Sequence, residues 1–286
     1  MAFRPWTTSR RELGEGMRRV GDRLVTTDIL AGTLTSLDPD QPGDGEELLR
    51  LDVPLGAVAP VSGRPGFWLA AAGTGVALIG PSGAIDWLDR PEDKAPVPMR
   101  VNDGCCDTRG RFWFGTMPYD GSKGRGSLYR VDRDGSVVRV LKDLDIPNGP
   151  AFTAHGSVMY LADSPRGCVH RYAMNPAKGE PVDCELFVQL PPDAGSPDGM
   201  AVDDGGGLWI AIWGAGQVHR YTPDGELDRV LTLPAEQPTS PVLFGGRIFV
   251  ATAAHGLAHP GEHDGRVLVA DVGEFTAPEA IPAILD

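Results

Sequence analysis

Cysteine is scarce in this chain: four residues in 286, Cys105, Cys106, Cys168 and Cys184. Adjacent cysteines rarely bridge one another and no Cys-X-X-Cys occurs, so we expect buried, reduced thiols rather than a disulfide framework or a metal knuckle. Basic side chains are also outnumbered, 26 Lys and Arg against 39 Asp and Glu. The resulting formal charge of −13 repels phosphate backbones and anionic headgroups, which argues against nucleic acid or a membrane surface as a partner. Long apolar runs are missing too. The charge-free window Pro65–Ile85 spans 21 residues but holds five glycines and two prolines, and Gly73-Thr74-Gly75 splits it, so it reads as a buried hairpin rather than a membrane span. No apolar core of about 7–15 residues follows the arginines of MAFRPWTTSRRELGEG, so no secretory leader is read there and a cytoplasmic location is expected. Finally, helical periodicity hardly occurs, which leaves strands and turns.

What is present is a repeat. In Ser196–Ile212, SPDGMAVDDGGGLWIAI, an apolar run, a polar Gly-rich turn and a second apolar run follow a Pro-Asp-Gly, the sequence form of a tight β-hairpin with buried strands. The pattern recurs from Asn148-Gly149-Pro150 to Ala162 and from Asn102-Asp103-Gly104 to Gly115. The turn glycine before each strong second strand serves as a ruler: Gly21, Gly66, Gly110, Gly156, Gly206 and Gly246, at intervals of 45, 44, 46, 50 and 40 residues. Repeats of about 40–50 residues with several short strands each are the mark of propeller blades. The expectation is all-β: one six-bladed β-propeller domain over residues 1–286, with four antiparallel strands per blade. Second strands are expected at Arg23–Ile29, Phe67–Ala72, Phe112–Met117, Val158–Asp163, Leu208–Trp213 and Arg247–Ala253. The sixth blade lacks a convincing fourth strand of its own, and we assign that strand to residues near Arg4–Arg11, with Ala280–Leu285 as the competing choice.

Strand parity then places the residues just before each first strand around one channel mouth. Asn102, Asn148 and Asp198 each precede their ruler glycine by eight positions and Glu15 precedes Gly21 by six. Asn-Gly and Asp-Gly pairs are common turn formers; equal phase in several blades favours a site instead. Two carboxylates crowded in a poorly solvated channel repel, and a divalent cation removes that cost. Oxygen-only ligands suit Ca²⁺, Mg²⁺ or Mn²⁺, with Zn²⁺ or Fe(II) as further choices. His255, His259 and His263 have helical metal-face spacing, but Gly256, Pro260 and Gly261 forbid that helix; they are read as a solvated lid loop on the channel face.

Taken together, Leu13-Gly14-Glu15-Gly16, Arg100-Val101-Asn102-Asp103-Gly104, Gly110–Met117, Pro147-Asn148-Gly149, Pro197-Asp198-Gly199 and Phe244-Gly245-Gly246 make nearly the whole chain resemble the SMP-30/gluconolactonase/luciferin-regenerating-enzyme-like propellers. The resemblance implies that Glu15, Asn148 and Asp198 bind a catalytic divalent metal, with Asn102 close by. It further implies that Arg100, Asn102 and Asp120, where some relatives have Glu, contact the substrate. Met17, Thr26-Thr27 and Ser240-Pro241-Val242 depart from the family's usual residues, which bears on substrate choice. The activity so implied is metal-dependent opening of a sugar-derived lactone, with Asp198 or a bound water as base and Arg100 stabilising the oxyanion. The partner is then a small-molecule lactone, and the protein a monomer or small homo-oligomer. Alternatives are hydrolysis of phosphotriester-like substrates on the same cation and a non-catalytic, metal-stabilised binding propeller.

Overall fold

The computed structural model describes residues 2–286. Six four-stranded antiparallel sheets, arranged as the blades of a β-propeller, account for all the named strands. The innermost strands are Gly14–Val20, Leu55–Pro60, Met99–Cys106, Pro147–Phe152, Ser196–Val202 and Gln237–Phe244, which we number blades 1 to 6. Among the described residues the one helical element is the 3-10 turn Ser164–Arg166. The outermost strand of blade 6 comes from the chain's start, Arg4–Pro5 paired with Leu268–Asp271. Trp6 follows it into the core, and its ring meets Phe249 edge-on at 5.2 Å.

Burial explains why the repeat was legible. Second strands are clad on both faces: Leu208–Trp213 is buried at every position except the last. Outer strands such as Val137–Leu144 are largely exposed and lose the apolar pattern. Apolar side chains gather into one cluster at each blade–blade seam. Hydrophobic burial therefore closes the ring without a core in the channel itself. The window Pro65–Ile85 forms the hairpin Trp68–Ala72 and Gly75–Ile79, and no helix among the described residues is long and apolar enough to cross a membrane.

The third strand of blade 6 is Leu268–Asp271, and the residues before it belong to the long loop that starts after Ala253. One expectation needs correction. All four cysteines are free, but Cys184 is exposed on the outer strand Glu180–Gln189 rather than buried.

The C-terminal segment 276–286 is a strap rather than a strand. Its main chain bonds blades 5, 1, 2 and 3 in turn: Thr276 O accepts from Asp204 N, Ala280 N donates to Arg19 O, Ala283 N to Pro60 O and Ile284 N to Gly110 O. All of these contacts lie at the end opposite the innermost strands' N-terminal residues, so the strap crosses one mouth of the channel.

Candidate metal centre

A local irregularity sets the site. Every innermost strand breaks register with its neighbour near its start: Glu15/Arg18, Leu55/Ala57, Val101/Gly104, Asn148/Ala151, Pro197/Met200 and Pro238/Ser240. A β-bulge re-aims the side chains beside it, and Glu15, Asn102, Asp103, Asn148 and Asp198 all sit at or within these breaks. Close packing at the axis accompanies the bulges. A Cβ on Gly56 would lie 2.0 Å from the Asn102 carbonyl oxygen. Gly149, with φ of 87°, lets its N–H reach the Asp103 carboxylate at 3.0 Å.

Blade-to-blade hydrogen bonds lace the ring at this level. Thr27 Oγ1 donates to Gly56 O at 3.1 Å, Asn102 Nδ2 to Pro147 O at 3.0 Å, Ser164 Oγ to Pro197 O at 2.7 Å and Thr239 Oγ1 to Gly14 O at 2.6 Å. The entries to two innermost strands are also pinned. Asp28 accepts from the N–H groups of Glu12 and Leu13, and Asp163 from those of Asp145 and Ile146.

Within this frame Glu15, Arg100, Asn102, Asn148 and Asp198 are all buried. Arg100 Nη1 donates to Asn102 Oδ1 at 2.9 Å, Asn102 Nδ2 to Asn148 Oδ1 at 2.8 Å and Asn148 Nδ2 to Ser164 Oγ at 2.8 Å. The chain of amides is thus oriented from both ends. Against this satisfied network, Glu15 Oε2 and Asp198 Oδ1 are buried with no hydrogen-bond partner among the described residues. Burial, then the charges of Asp198 and Asp103, push the Glu15 carboxyl well above its ordinary range, while Arg100 opposes them. Burial and the Asp103 charge do the same to Asp198, against the Gly199 N–H and Arg100. Burial pulls the Arg100 guanidinium down while Glu15, Tyr119 and Asp198 hold it up; a guanidinium stays cationic throughout.

These unpartnered oxygens fit a hard cation. No three His, Cys, Asp or Glu side chains form a metal cluster among the described residues, so a cation here would rest on two carboxylates with amide oxygens beside them. In the histidine loop His255 and His259 are exposed, with His255 Nδ1 3.4 Å from Glu12 Oε1, and His263 is half-buried. Asp120 is exposed, and its carboxylate accepts from Ser122 N at 2.9 Å within its own loop.

Three participants escaped the sequence reading. Ser164 anchors Asn148 from the loop after the second strand. Asp103 was visible beside Asn102, but plain strand alternation would send it away from the channel. Arg18 reaches Asp103 from blade 1, with Nη2 2.8 Å from Oδ1, and nothing local signals a partner 85 residues away. Two departures from the family pattern find structural roles here: Thr27 laces blade 1 to blade 2, and Ser240 Oγ accepts from Met17 N at 3.0 Å. Beyond Arg18, at the strapped mouth, lies a separate cavity of about 200 Å³ with Met17, Cys105, Met200 and Val242 among its walls and Ala277–Ile281 along one side.

The sequence profile of the SMP-30/Gluconolactonase/LRE-like region matches residues 13–254. A pentonolactonase of Haloferax volcanii is 37% identical over 262 residues, covering 88% of this chain and 86% of its own. A 6-deoxy-6-sulfogluconolactonase of Pseudomonas putida is 32% identical, over 78% and 75% of the two chains. Among solved structures, a calcium-binding protein, regucalcin, from Agrobacterium tumefaciens superposes with a TM-score of 0.89 at 26% identity, covering 99% and 97% of the two chains.

Proposed function

Since the chain belongs to the SMP-30/gluconolactonase/LRE-like family, we propose that it is a metal-dependent lactonase that opens a sugar-derived lactone to its hydroxy acid. The observation that carries this reading is the pair of buried, unpartnered oxygens, Glu15 Oε2 and Asp198 Oδ1, beside an oriented chain of amides. Relatives named as lactonases support the substrate class.

Glu15, Asn148 and Asp198 would hold the cation, with Asn102 near enough to add an oxygen. When bound, a divalent cation polarises a carbonyl and acidifies a coordinated water. Asp198 accepts the proton of the attacking water, whose oxygen bonds the lactone carbonyl carbon; the ring C–O bond then breaks and the proton passes to the departing ring oxygen. Arg100, aimed by its bonds to Val101 O and Asn102 Oδ1, stabilises charge developing on the carbonyl oxygen. Asp120, from its exposed loop, accepts a hydrogen bond from a sugar hydroxyl.

The test follows acid release with a pH indicator over a panel of pentono- and hexonolactones, using chelator-treated protein and the same protein given Ca²⁺, Mg²⁺, Mn²⁺ or Zn²⁺. Chelation should abolish turnover and a cation restore it. The cation should also stabilise the fold by about 3–4 kcal/mol at a hundred to a thousand times its dissociation constant. Full activity in metal-free protein would refute the mechanism. Cation binding without turnover of any lactone would point to the binding propeller, and turnover of phosphotriesters alone to the other hydrolase.

A further inference from the structure

One charged group near the site has no part in the reaction above. Arg18 belongs to the innermost strand of blade 1, yet its guanidinium reaches two other blades. Nη2 donates to Asp103 Oδ1 at 2.8 Å and to Gly104 O at 3.0 Å on blade 3. Nη1 donates to Met17 O at 2.7 Å and to Ser240 Oγ on blade 6 at 3.4 Å. The side chain therefore spans the channel just beyond the candidate ligands, and it lines the cavity at the strapped mouth. Its ion pair is well shielded, with side-chain exposures of 13% for Arg18 and 1% for Asp103. Asp103 is near enough that its charge acts on both Glu15 and Asp198.

The charge count follows from these neighbours. Three carboxylates, Glu15, Asp103 and Asp198, share the channel with two guanidiniums, Arg18 and Arg100. Asp103 is the one with both oxygens engaged: Oδ1 accepts from Arg18 and Gly104 N, and Oδ2 from Gly149 N. We infer that Arg18 is a positioning and charge-setting residue of the cation site: by holding Asp103 from across the channel it leaves Glu15 and Asp198 as the free carboxylates and sets how tightly a divalent cation is held. The two backbone N–H groups keep Asp103 in place when Arg18 is removed, so the loss of Arg18 adds one uncompensated negative charge at the site. Affinity of oxygen-ligand sites for Ca²⁺ varies over orders of magnitude with ligand charge.

This inference rests on the proposed cation site and is tested by binding rather than by turnover. Calorimetric titration of the full-length, metal-stripped protein with Ca²⁺ should show Arg18→Met binding at least about tenfold more tightly than wild type. Arg18→Lys, which keeps the charge, should stay near wild type. Adding Asp103→Asn to Arg18→Met should cancel the gain. If Arg18→Met does not fold, as judged by circular dichroism, Asp103→Asn alone takes its place: it retains Arg18 while removing the negative charge, and should weaken Ca²⁺ by about tenfold or more. A folded Arg18→Met that binds Ca²⁺ no more tightly than wild type overturns the inference, as does an unaffected Asp103→Asn. Wild type that binds no Ca²⁺, Mg²⁺, Mn²⁺ or Zn²⁺ overturns the proposed function and this inference together; wild type that binds while Arg18→Met fails to tighten overturns this inference alone.

Discussion

The two unpartnered carboxyls should leave a signature in the metal-free protein. In the folded state both Glu15 and Asp198 are pushed well above their ordinary values of 4.5 and 3.8, chiefly by burial. Above those ordinary values the unfolded chain releases protons that the folded chain retains. Stability is then complete at low pH and falls as pH rises toward the folded-state values. The slope is about 1.4 kcal/mol per pH unit for each proton retained. Measured upward from about pH 5, above both ordinary values, the slope reads the number of protons the folded chain retains. Asp198→Asn preserves shape and removes one titrating carboxyl, so in metal-free protein it should flatten the slope by about one proton and be more stable than wild type near pH 7. It should also lose most lactone hydrolysis. Urea denaturation of chelator-treated wild type and variant at several pH values reads both quantities, and saturating cation should abolish the wild-type slope. A wild-type stability that is flat or rises over this range, or a variant less stable than wild type at pH 7, would refute the argument that burial without a partner governs these groups.

Two further outcomes test other parts of the molecule. Asp203→Ala removes the acceptor of Trp209 Nε1 at 2.8 Å, of Arg220 Nε at 2.7 Å and of the Gly205 and Gly207 N–H groups. Breaking this buried pair should lower stability by about 3–5 kcal/mol, read from the urea midpoint and Trp fluorescence, with little effect on the cation site. Asp120→Ala should cost a charge-assisted hydrogen bond of about 1.5–3 kcal/mol, lowering kcat/KM roughly 10- to 150-fold on a polyhydroxylated lactone while an unsubstituted δ-lactone changes little. Equal losses on both substrates would assign Asp120 to loop shape through its bond to Ser122.

The sequence alone determined the blade count, because a tight turn with Gly at positive φ must recur wherever a hairpin reverses. Gly21, Gly110, Gly156 and Gly206 all hold that conformation, which few other residues tolerate. It also determined the buried second strands, since burial on both faces demands apolar runs such as Leu208-Trp209-Ile210-Ala211-Ile212. The common phase of Asn102, Asn148 and Asp198 carried the channel mouth with it. What the one-dimensional pattern could not carry was anything that depends on which blades face each other across the axis. Simple alternation sends Asp103 away from the channel, and only the bulge between Val101 and Gly104 returns it. Arg18 sits in a strand whose neighbours give no hint of blade 3. The C-terminal segment, a rival for the closing strand on local pattern, is a strap because its backbone finds the free carbonyls of Arg19, Pro60 and Gly110. Strand and turn identity rest on interactions a few residues apart. The charge balance of the channel rests on contacts between side chains 85 or more residues apart, and those exist only once the ring has closed.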